Sequence, residues 1–143
     1  MRAGRWLPLV FAFGAACGHG DPCRNRLLAR TPSPGRRLEA VVFERNCGAA
    51  TASSTEVSIL PSVDRSRPTV LWSTQEGNVF AADKGGGHRT GSQVGGPWVQ
   101  VEWTRGSTTP ETLLVRYDAT ARVWRRETKA FGSTVRYEAA ATQ

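Results

Sequence analysis

Residues 33–48, SPGRRLEAVVFERNCG, constrain the fold of this chain more than any other stretch. Pro34-Gly35 is a turn dipeptide, because proline presets φ and glycine takes positive φ without steric cost. The segment that follows is apolar on both faces, with Leu38, Ala40 and Val42 on one and Val41 and Phe43 on the other. A strand of that kind belongs inside a sheet that is covered on each side. A short buried helix is the rival, but β-branched Val41-Val42 beside Phe43 favours a strand. Asn46-Cys47-Gly48 ends it.

Such a strand needs partners, and the rest of the chain offers them. Residues 56–60 alternate with Val57 and Ile59 inward, and Pro61 stops the run. Residues 69–73 and 78–82 flank Glu76-Gly77-Asn78 and read as a hairpin. In 98–104, Val99, Val101 and Trp103 share a face; in 112–118, Leu113, Val115 and Tyr117 do. Residues 122–128 and 133–138 read as a final hairpin turning over 129–132. Val115-Arg116-Tyr117 recurs as Val135-Arg136-Tyr137, which suits strands with Val and Tyr inward and Arg outward. No helical period of useful length interrupts this pattern. At 143 residues the chain holds one domain. The expectation is an all-β domain over 37–138, a small antiparallel β-sandwich or curled sheet of about eight strands, with a frayed tail at 139–143. SPGRRLEAVV and the PETLLV stretch resemble blade strands of TolB-like propellers, but the chain is too short to build one.

The N-terminus carries an address. Arg2 and Arg5 precede an apolar run from Trp6 to Ala16, and Cys17 follows. A basic start, a short apolar run and small residues make 1–16 a secretory signal peptide, too short to span a bilayer as a permanent helix. Gly14-Ala15-Ala16-Cys17 resembles the lipobox of bacterial lipoproteins, in which small residues precede a cysteine that takes a diacylglyceryl group. Gly14 departs from that pattern, which usually has leucine there. The resemblance covers residues 1–17 and not the folded domain. It implies lipidation of Cys17, cleavage before it, and a membrane anchor. By analogy with enterobacterial sorting, Gly18 in second place implies the outer membrane, facing the periplasm. Ordinary cleavage is the alternative, since Gly14-Ala15-Ala16 also suits a small-x-small site; the domain would then be soluble in the periplasm or outside.

Cysteine parity bears on the same question. The chain has three cysteines, and in an oxidising compartment an odd one needs a reason. Lipidation of Cys17 supplies it and leaves Cys23 and Cys47 as a disulfide pair; reduced, buried cysteines are the alternative. Residues 17–36 read as a lipid-anchored basic tether. Over 18–37 five arginines face Asp21 alone, a net +4, whereas 38–143 carries a net +1. An anionic lipid surface attracts such a segment; a solvated linker is the plain alternative. Nucleic acid is a poor partner for an exported protein.

Nothing in the sequence specifies a reaction. Neither GxSxG nor HExxH occurs. His19 lies in the tether and His88 in the glycine-rich loop 83–97, without metal-ligand spacing. Glu39, Glu44, Glu56, Glu102 and Glu127 are scattered along strands, mostly at outward positions. No cofactor, metal or catalytic residue is expected. The one suggestive surface set is Arg122, Arg125 and Arg126 around Trp124, which offers cation–π contact with that indole or a patch for an anionic lipid or glycan. Its competing reading is the charged outer face of an edge hairpin, which also blocks edge-to-edge aggregation. The expectation is an exported, membrane-anchored, non-catalytic binding or structural module of the cell envelope, with a soluble β-domain or an enzyme of unknown type as alternatives.

Overall fold

A computed structural model of the chain describes residues 23–48, 51–62, 75–85, 95–104 and 110–141. These residues form nine strands and no helix: β1 (Arg24–Pro32), β2 (Leu38–Asn46), β3 (Ser54–Pro61), β4 (Phe80–Asp83), β5 (Val99–Thr104), β6 (Thr112–Asp118), β7 (Arg122–Arg126), β8 (Lys129–Ala130) and β9 (Ser133–Ala140). They make two sheets, ordered β1-β2-β3-β4-β7 and β5-β6-β9-β8, neither closed into a barrel. The all-β sandwich expected from the sequence is borne out. Every neighbouring pair is antiparallel except β6–β9, which is parallel. In that pair Val115 lies opposite Tyr137, so the two Val-Arg-Tyr triplets run side by side, two residues out of step.

The period-two pattern of each strand decides what lies between the sheets. Ala40, Val42, Val57, Ile59, Phe80 and Ala82 of the larger sheet meet Trp103, Leu113, Val115, Tyr117 and Val135 of the smaller. Phe80 stands with its ring centroid 5.1 Å from Tyr117 and 5.9 Å from Tyr137. On the other face of β2, Val41 and Phe43 are also fully buried, so the strand expected to be covered on both sides is. Each such aromatic or aliphatic side chain contributes about 1.5–3 kcal/mol relative to exposure.

The two flanks of the sandwich are closed differently. On one, the Trp103 indole N–H of β5 donates to the Thr31 carbonyl of β1 at 2.9 Å. On the other, the chain steps from β7 to β8 through Glu127-Thr128. There the Tyr137 hydroxyl lies 2.7 Å from the Val79 carbonyl and 2.6 Å from that of Glu127. Burial pushes the Tyr137 phenol up, so it stays a neutral donor between these acceptors.

Several expectations need correcting. Residues 24–32, expected as tether, are a strand paired along its length with β2. The expected hairpin of 122–128 with 133–138 does not form: β7 joins β4 in the larger sheet, and β9 pairs with short β8 and with β6. The tight turn is Phe131-Gly132, with φ of 48° and 78°, the positive pair that matches the twist of a two-residue hairpin. At the Pro34-Gly35 turn the positive φ of 56° falls on Arg36, not on Gly35. Gly35 instead gives up a side chain for space, because its N–H donates to Glu111 Oε1 at 2.6 Å. The in-sheet neighbours of β4 are β3 and β7; the expected hairpin arm 69–73 lies outside the described residues, as does 86–94 of the glycine-rich loop.

Candidate functional site

The larger sheet ends in β1 at one edge and β7 at the other, and the arginine sets singled out in the sequence lie on these edges. On β7 the residues are brought close, but their guanidinium groups are drawn to three different partners. Arg122 stands opposite Asp83 across the β4–β7 pair and grips it with two hydrogen bonds, one of them 3.1 Å long from Nε to Oδ1. Those bonds hold the Asp83 carboxyl below its ordinary value and raise the Arg122 guanidinium above its own. Arg125 donates to the Gly77 carbonyl at 2.6 Å and to Glu76 Oε2 at 3.3 Å.

Arg126 takes a third direction because of a β-bulge. Ala81 pairs with Arg125 and Ala82 with Val123, so Trp124 is the extra residue of β7. Beyond it, Arg126 lies opposite Phe80 and reaches the aromatic cluster between the sheets. Its guanidinium carbon stands 4.9 Å from the Tyr137 centroid and 5.8 Å from that of Tyr117. The cation–π contact therefore uses two tyrosines rather than Trp124, which is left half exposed.

The opposite edge is more openly cationic. Arg24, Arg26 and Arg30 of β1 and Arg36 and Arg37 of the following turn are all exposed. Arg30 pairs with Glu39 at 2.6 Å, and Arg26 approaches Glu44 at 3.4 Å. Arg24, Arg36 and Arg37 have no acidic partner among the described residues. A second bulge lies here, at Leu28, between the pairs Leu27–Phe43 and Ala29–Val42. Leu27 and Leu28 are 38% and 45% exposed, an apolar pair inside the basic strand.

A disulfide joins Cys23 to Cys47, the residues flanking the open end of the β1–β2 hairpin. Cys17 and His19 lie outside the described residues.

Of the carboxylates, sequence reasoning missed the burial of Glu56. It is 2% exposed, accepting from the Ser54 hydroxyl at 2.7 Å and from the Gly77 N–H at 2.6 Å. Its outward position on β3 was legible; that residues 75–79 would fold back across that face was not. Glu44 accepts from the Gly96 N–H at 3.1 Å and Thr55 donates to the Pro97 carbonyl at 2.7 Å, which seats the end of the glycine-rich loop. On the smaller sheet Arg116 bridges Glu102 and Glu138 at the surface, at 3.2 and 3.1 Å. Each of these carboxylates is engaged in holding backbone or an arginine. Among the described residues no three His, Cys, Asp or Glu side chains gather as a metal site. Compared with models of protein families, with curated proteins and with solved structures, the chain has no match.

Proposed function

We propose that this chain is an exported, lipid-anchored and non-catalytic β-module of the cell envelope. The observation that carries the reading is the Cys23–Cys47 disulfide. It is compatible with an oxidising compartment, and it engages two of three cysteines. The third, Cys17, stands after a basic start, an apolar run and small residues, where a lipoprotein carries its lipid. Strand β1 begins at Arg24, so the linker from Cys17 reaches only about 25 Å even when fully extended. A domain leashed that closely works at the membrane surface, as a binding or structural element. The described carboxylates support the non-catalytic reading, because Glu39, Glu44, Glu56 and Asp83 of the larger sheet are each committed to a structural bond. Fractionation of the wild-type chain and a Cys17→Ala variant, both exported from a bacterial host, tests the proposal. Wild type in the membrane fraction and the variant in the soluble fraction is the expected result; the same distribution for both would overturn it.

A further inference from the structure

We propose that the free edge of β1 is the face that seats this domain on an anionic lipid surface, with Leu27 and Leu28 entering the headgroup region and the arginines around them meeting lipid phosphates. The proposal rests on the anchored reading above and names which surface of the domain the lipid engages.

Three features converge on this edge. The first is apolar exposure. Leu27 and Leu28 are adjacent and well exposed, and Leu28 is the bulged residue that β2 does not oppose. The second is charge. Arg24, Arg26, Arg30, Arg36 and Arg37 bring five positive charges to residues 23–37; among the described residues Glu44 faces Arg26, Glu39 faces Arg30 and Glu111 sits on the Gly35 N–H, which leaves an excess of two. Basic residues flanking an apolar wedge are the chemistry that binds an anionic interface. The third is position. The disulfide ties Cys23 at the start of this strand to the end of β2, so the edge begins at the point where the leash from Cys17 enters the fold.

The other edge also exposes an apolar residue at a bulge, Trp124, but its arginines are more fully engaged. On β7 the guanidinium groups of Arg122, Arg125 and Arg126 are held by Asp83, by Glu76 with the Gly77 carbonyl, and by two tyrosine rings. A second copy of the chain adding a strand to β1 is the rival occupant. The bulge at Leu28 and the like charges along the strand both oppose such pairing.

The test uses the mature chain as a host exports it, its N-terminus read by mass. Hydrogen exchange of residues 24–32 is followed on vesicles of phosphatidylethanolamine with phosphatidylglycerol, and on phosphatidylcholine vesicles. The outward amides of β1 should slow roughly fivefold or more on the anionic vesicles alone. Residues 112–118 serve as the internal reference and should not change. The double variant Leu27→Ser, Leu28→Ser, altered only at exposed positions, should fold, keep its N-terminal mass and lose the slowing. Equal exchange on both vesicle types would overturn the proposal, and so would slowing that follows protein concentration without lipid, which would identify a second copy as the occupant. A mature chain without acyl mass would overturn the anchored reading alone, because β1 exchange on the two vesicle types would still decide the role of this edge.

Discussion

Substituting Gly77 by alanine should destabilise the domain by far more than a surface exchange. This glycine serves close approach rather than an unusual φ. A Cβ there would lie 2.6 Å from the Phe80 carbonyl oxygen, 2.8 Å from that of Val57 and 2.9 Å from Glu56 Cβ. Val57 and Phe80 are partners across the β3–β4 pair, so two of the three obstacles are sheet backbone that cannot give way cheaply. Overpacking of this kind costs about 1–3 kcal/mol. Moving residues 75–79 outward would also strip Glu56 of the Gly77 N–H and cost the buried carboxylate about 1–3 kcal/mol more. Gly77→Ala should therefore lose about 2–5 kcal/mol, out of the roughly 5–15 kcal/mol that a domain of this size has. Urea unfolding with the disulfide intact measures it. Glu56→Gln, which puts an amide donor or a single acceptor where two acceptors were used, should fall in the lower half of that range. A loss below about 1 kcal/mol for Gly77→Ala would refute the reasoning, since neither the clash nor the buried bond would then be present.

Other consequences are as direct. Phe131→Asn should stabilise by up to about 1 kcal/mol, because an exposed phenylalanine at φ 48° gives way to a residue that tolerates that conformation; a lower melting temperature would contradict it. Replacing Cys23 and Cys47 together by serine should cost about 3.5 kcal/mol if the chain-entropy account of a loop of this length holds, read from urea unfolding free energies extrapolated with each variant's own slope, which should be steeper without the cross-link. The Asp83 carboxyl, held low by Arg122, binds its proton less tightly in the folded than in the unfolded chain. Its stabilisation is thus complete above the unfolded value near about 4 and is lost as pH falls through the folded one. Asp83→Asn should flatten the acid limb of the stability profile in that window, and parallel acid limbs would disprove the linkage.

How much of this was legible in the sequence follows from which strands bury a face. The buried pattern of β2 and the inward sets Val99-Val101-Trp103 and Leu113-Val115-Tyr117 stand in the sequence as plain alternation, and the structure uses them that way. Strand β1 left no such trace. It is exposed over most of its length, and the bulge at Leu28 breaks the period just where its two leucines fall. The step of the chain between sheets at Glu127-Thr128 was hidden for a different reason: no glycine or proline interrupts 122–128, and a phenylalanine at positive φ does not announce a turn. The arginines around Trp124 stood out as a patch, but the bulge that sets exposed Arg126 over the tyrosine rings depends on pairing with β4 and not on local sequence. The disulfide could be inferred only through the expected fate of Cys17.

In the proposed reading Cys17 carries the anchor while Cys23 and Cys47 close the fold beside it. The intact mass of the mature protein from membrane and soluble fractions, with and without reductant, tests it most directly. The expected result is a membrane-bound chain that begins at Cys17, carries acyl mass and gains two hydrogens on reduction. An unacylated chain in the soluble fraction would contradict it.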